Sequence, residues 1–172
     1  SQEIFVVKSD LAGRIIWQKT FGGSNRDIGH KVILTNDGNI AIVGQTNSPG
    51  IAYGNDDIWL IKIDLDGNEI WNKSYGHQRH EVGYDIVELD NGGFLIVGFR
   101  DFYNDSGKDI LIIKTDNKGN KIWEKIIGSN GLYDEIAYSI SKSKNFGYLI
   151  CASSNVSNKD RYDPQVINID FD

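Results

Sequence analysis

Three stretches of this chain repeat one phrase. Residues 3–22 read EIFVVKSDLAGRIIWQKTFG, residues 57–76 read DIWLIKIDLDGNEIWNKSYG, and residues 109–128 read DILIIKTDNKGNKIWEKIIG. Trp17, Trp71 and Trp123 are spaced by 54 and 52 residues, and Gly13, Gly67, Gly119 and Gly22, Gly76, Gly128 keep that spacing. Asp10, Asp64, Asp116 and Asp170 carry the series into a fourth copy. A second phrase lies between the first: DIGHKVILTNDGNIAIVGQT at 27–46, EVGYDIVELDNGGFLIVGFR at 81–100, and more loosely EIAYSISKSKNFGYLICASS at 135–154. A fixed period of this length means that one supersecondary unit is used several times and that neighbouring units bury each other's apolar faces.

Each period holds four strand-like runs, exemplified by HKVILT, NIAIVGQT, DIWLIKID and NEIWNKSYG. Asn-Asp-Gly-Asn joins the first two and Asp-Leu-Asp-Gly the last two, both of them short hairpin turns by composition. Several runs are apolar on both faces (IWLIKI, ILIIK, FLIVG), which demands cover on two sides. No stretch shows a capped helical period. The expectation is an all-β chain of thirteen strands, the last at QVINIDFD, arranged as β-propeller blades of four antiparallel strands. Residues 1–172 then make one partial propeller domain, with repeats at 3–22 (an outer half-blade), 27–76, 81–128 and 135–172.

The strand grammar is similar to that of WD-type propellers, although their Trp-Asp dipeptide is absent. The pattern D-[IL]-x-[LI]-I-K-x-D-x-x-G-N-x-I-W-x-K-x-x-G resembles more closely the bacterial and archaeal propeller repeats of secreted or surface proteins. This resemblance covers essentially the whole chain and implies an extracytoplasmic or cell-surface address. It says little about activity, because propellers carry unrelated functions.

Composition narrows the choices. A hydrophobic fraction of 40% and a charged fraction of 24% are ordinary for a globular domain. A net charge of -6 argues against a nucleic-acid surface, and no apolar run reaches the length of a membrane helix. Cys151 is the single cysteine, so the chain forms no internal disulfide and no cysteine zinc site. Methionine is absent even at position 1, as in a processed chain or a piece of a longer one.

Repetition separates architecture from individuality. Trp17, Trp71 and Trp123 recur, as do Lys8, Lys62 and Lys114, and these read as packing between blades rather than as a sugar platform. DLDGNE at 64–69 begins like a calcium loop, but its counterparts carry Arg14 or Lys118, so a hairpin turn is expected. The recurring acids Asp27, Glu81 and Glu135 are expected to bond loop amides. His77 and His80 in GHQRHE read as a solvated loop against the alternatives of a zinc ligand or general base. No catalytic residues, metal ligands or cofactor motifs are assigned.

Strand order puts the tight turns at one end of the blades and the long connections, different in every copy, at the other. Those connections hold Tyr53, Phe102, Tyr103, Tyr133 and Tyr162 with Arg26, Arg79, Arg100 and Arg161. Variable loops bearing aromatics and arginines over a rigid scaffold suit recognition. The expected function is a non-enzymatic interaction or scaffold module that binds a protein or other ligand on this face through Arg79, Arg100, Tyr103 and Tyr133. The alternative is a carbohydrate-binding or glycan-hydrolysing propeller using carboxylates such as Asp101, Asp105 and Asp134. Three blades' worth of strands cannot close a ring, so self-association as a dimer, or the remaining blades of a longer chain, is also expected.

Overall fold

The computed structural model describes residues 1–101, 107–130, 132–145, 147–155 and 162–170. Phe102, Tyr103, Asp105 and Arg161, singled out above, lie outside these residues. Among the described residues there are thirteen strands and no helix. They are β1 (Ile4–Ser9), β2 (Ile15–Phe21), β3 (Asp27–Leu34), β4 (Ile40–Thr46), β5 (Asp57–Ile63), β6 (Glu69–Tyr75), β7 (Glu81–Glu88), β8 (Phe94–Asp101), β9 (Lys108–Thr115), β10 (Lys121–Ile127), β11 (Glu135–Ser143), β12 (Gly147–Ser154) and β13 (Asp163–Ile169). All pair antiparallel, in four sheets ordered β1-β2, β3-β4-β5-β6, β7-β8-β9-β10 and β11-β12-β13. The chain is therefore all-β, and its sheets do not close into a ring.

The tight turns form as their sequence dictates. In Asp64–Asn68 the carboxylate of Asp64 accepts the amides of Asp66 and Asn68 at 2.9 and 2.8 Å, while Gly67 takes the left-handed φ of +75°. Asp116 does the same for Lys118 and Asn120, and Asp10 for Ala12 and Arg14. Residues 64–69 are thus a hairpin turn whose first Asp is occupied by its own backbone.

Sheets stack face to face, and an apolar cluster fills each gap. Ile4, Ile42, Trp59, Ile61 and Ile63 join the first sheet to the second. Val43, Ile58, Leu60, Phe94, Ile96 and Leu111 are part of the cluster joining the second to the third. Val97, Ile112, Ala137, Ile140 and Ile150 belong to the one joining the third to the fourth. This two-sided cover explains why every residue of β5 is buried. The recurring tryptophans lock the layers. Trp17 donates its indole N–H to the Leu65 carbonyl at 2.9 Å, and Trp71 lies against Gly119 in the turn of the following sheet. Lys8 reaches the same Leu65 carbonyl at 2.8 Å, and the Lys114 ammonium sits 6.0 Å from the Trp123 ring centre.

Candidate functional site

The backbone at the long-loop end is tied together by hydrogen bonds at equivalent positions. Asn47 N–H donates to the Arg26 carbonyl, Asp101 N–H to His80, and Asn155 N–H to Asp134, at 3.1, 2.8 and 3.1 Å. Beneath this network lie the recurring acids. Asp27 accepts the Gly23 amide and the Ser48 hydroxyl, each at 2.9 Å, and also the Thr46 hydroxyl. Glu135 accepts the amide and hydroxyl of Ser129 at 3.3 and 3.0 Å. Among the described residues Glu81 accepts only the His77 amide, at 3.4 Å, and its Oε1 is buried with no hydrogen-bond partner. The reason lies in three substitutions between repeats. Arg100 stands where the first repeat has Thr46, Phe102 where it has Ser48, and His77 where the last has Ser129, so all three hydroxyl donors are replaced.

Burial therefore pushes the Glu81 carboxyl up to about 7, with the neighbouring Asp57 adding to the rise and Arg100 and Arg79 opposing it. Asp57 is likewise raised, chiefly by burial. Its Oδ1 packs on Gly76, where a Cβ would come within 2.2 Å. Asp56, beside it, gathers Arg26 at 2.5 Å and His80 Nδ1 at 3.1 Å.

Gly76 and His77, which touch Asp57 and Glu81, line a cleft of about 810 Å³ between the second and third sheets. Arg79 and Arg100 line it together with His77, Lys73, Lys121 and Tyr53, a residue that is 73% exposed. Glu124 is held at this wall, 2.5 Å from Lys121 and 3.9 Å from His77. Burial alone would raise its carboxyl, but the Lys121 bond and the charges of Lys121, His77 and Arg100 outweigh that and leave it lowered. The cleft is a cationic trough in a chain whose net charge is -6.

Of the four residues expected to bind ligand, Arg79 and Arg100 come together here. Tyr133 does not; it lies in the loop between β10 and β11, where its amide donates to Ser129 Oγ at 3.0 Å. Tyr103 lies outside the described residues. His77 and His80 turn to different carboxylates, Glu124 and Asp56. Sequence reading missed Lys121. Its counterparts are Ile15 and Glu69, and a search for cations that fail to recur would have found it.

A second feature was also missed. Strand register slips at the same point in β3, β7 and β11, between Gly29 and Lys31, Gly83 and Asp85, and Ala137 and Ser139. The residues at these bulges, His30, Tyr84 and Tyr138, form a column with ring centres 5.0 and 5.5 Å apart. Their spacing of 54 residues was the available signal. No helix among the described residues is long and apolar enough to cross a membrane. Compared with known proteins, the chain matches no family model and no curated protein.

Proposed function

We propose that this chain is a propeller-type interaction module, not an enzyme, and that it recognises its partner at the long-loop end, through the cleft headed by Arg79 and Arg100. One observation carries this reading. Arg79, on the connection before β7, and Arg100, which the structure places in β8 and not in the long loop, open into the same cleft, although their counterparts in the first repeat are Asn25 and Thr46. Side chains kept for packing recur here, as the tryptophans do; these do not.

The blade reading is supported by the meander order within each four-stranded sheet and by the apolar cluster in every gap. Self-association is proposed with it. Phe5 and Val7 on β1 are 60% and 44% exposed, and Val166 on β13 is 75% exposed, so the outermost sheets carry apolar surface that a second copy would cover.

The test is capture from the native source by the wild-type chain and by Arg79→Asn/Arg100→Thr, alongside a glycan array. The two replacements are the residues of the first repeat, so the backbone is known to accept them there. A protein retained by the wild type and released by the variant supports the reading. Equal capture by both sinks the site, and array binding without protein capture moves the function to carbohydrate.

A further inference from the structure

We infer that the cleft between the second and third sheets takes an extended acidic polypeptide segment, which adds to the free edge of β6 and sets its carboxylates against Lys73, Arg79, Arg100 and Lys121. This deepens the module reading above and rests on it.

The charge argument comes first. Four cationic side chains line one trough, and the carboxylate held at its wall is Glu124. Burial raises the carboxyls of Glu81 and Asp57, which lie behind that wall. Three of the cations are peculiar to this place: Arg79 has Asn25 as its counterpart, Arg100 has Thr46 and Ser154, and Lys121 has Ile15 and Glu69. Lys73 recurs as Lys19 and Lys125 and belongs to the scaffold. The corresponding groove between the first and second sheets therefore has Lys19 without the other three cations. Repetition makes that groove an internal control.

Carboxylate chemistry is favoured by what the cleft already does. Lys121 holds the Glu124 carboxylate at 2.5 Å with His77 3.9 Å away, and guanidinium groups pair with carboxylates through two parallel hydrogen bonds. The Glu81 site adds a second sign. At two of the three positions where sister repeats give the buried acid a hydroxyl, this repeat has a residue that lines the cleft, Arg100 or His77. Packing has been sacrificed where the cleft is built.

The strand edge selects a peptide among carboxylate carriers. β6 is the last strand of its sheet, so among the described residues its outer edge has no strand partner, and Lys73, Ser74 and Tyr75 of β6 line the cleft. An extended peptide can pair along such an edge, its backbone supplying affinity and its alternate side chains specificity. A period of two places every second side chain on one side of the added strand. A polysaccharide has no backbone amides to pair with that edge.

The experiment uses the full chain and a fluorescent peptide of about a dozen residues alternating Glu and Thr, with a Gln-for-Glu peptide as control. We expect anisotropy to report saturable binding at low salt that weakens as salt rises. Affinity should fall at least about tenfold for Arg79→Asn/Arg100→Thr and for Lys121→Glu, and should be absent for the Gln peptide. Melting temperature monitors folding, and Lys121→Glu carries the test if the double variant is unstable, since Glu69 already occupies the counterpart position. Hydrogen exchange should slow at β6 amides when the peptide binds. Binding indifferent to these variants, or without β6 protection, overturns the inference. So does binding of polygalacturonate or inorganic phosphate in place of the peptide. A partner captured through Arg79 and Arg100 that carries no acidic segment would overturn the ligand class and leave the module reading standing.

Discussion

Trp71 lies against Gly119 in the turn of the next sheet, so close that a Cβ added at Gly119 would sit 2.7 Å from the indole and 2.9 Å from Lys73 Cγ. The Tyr75 hydroxyl donates to the Gly119 carbonyl at 2.7 Å. A left-handed turn glycine here serves two purposes, the turn itself and the contact between sheets. The same turn in the first sheet separates them. Gly13 has φ of +78° and nothing within 4 Å of its missing Cβ.

Comparing the two glycines measures the packing between sheets. Gly13→Ala should cost about 1 kcal/mol from its positive φ alone. Gly119→Ala carries that cost plus roughly 1–3 kcal/mol from crowding Trp71. Gly67→Ala, which meets Trp17 at 3.1 Å, should fall between them. Urea denaturation of the three variants gives the order, and equal losses would show that the indole contact contributes nothing.

Glu81 makes stability fall as pH rises. The unfolded chain releases this proton near 4.5, and the folded chain holds it to about 7. Between those values the native state binds more protons, so the contribution is complete below 4.5, declines through the interval and is gone above 7. The full amplitude is about 3 kcal/mol. Glu81→Gln should flatten this part of the stability–pH profile, as read from denaturation midpoints at pH 5 and pH 8. An unchanged slope would mean that Glu81 keeps an ordinary carboxyl pKa.

His77→Ser tests the same site from the donor side. The amides of His77 and Ser129 bear the same relation to their acids, at 3.4 and 3.3 Å. A serine at 77 should therefore offer Glu81 the hydroxyl that Ser129 gives Glu135. Stability above pH 7 should rise by about 1.5 kcal/mol, the scale of a hydrogen bond to a charged group, and the pH slope should shrink. A destabilised variant would show that the hydroxyl does not reach the carboxylate.

Much of the fold was legible because local chemistry dictated it. The Asp64–Gly67 turn, the two-sided apolar run of β5 and the amide-bonding acids Asp27, Glu81 and Glu135 each follow from residues close in sequence. The cleft was legible only in part. Arg79 and Arg100 were marked as loop arginines, but their meeting with Lys121 depends on how the second sheet stacks on the third, which no local pattern encodes. Tyr133 was grouped with them by loop type and lies in a different connection. The bulges at His30, Tyr84 and Tyr138 left only one trace, rings recurring at 54-residue spacing, because a single extra residue in a strand is defined by its pairing across the sheet.

Assembly gives the last prediction. β1 and β2 form a two-stranded sheet whose β1 pairs on one side only, and the groove beside it is lined by Phe5, Val7, His30, Val32 and Ile42. In the second sheet the strand equivalent to β1 is β5, and β4 pairs along that same side, from Ile40 opposite Ile63 to Thr46 opposite Asp57. A second copy can fill the vacant side of β1 with β12, whose sequence corresponds to that of β4, while β13 competes with β1 for the same place on β12. The expected result is a dimer by light scattering at micromolar concentration. Val6→Lys on β1 and Val166→Lys on β13 separate the modes of pairing. A strand exchange through β1 is weakened by the first and unaffected or strengthened by the second, because loosening β13 frees β12. A folded wild-type monomer under these conditions would remove the exchange altogether.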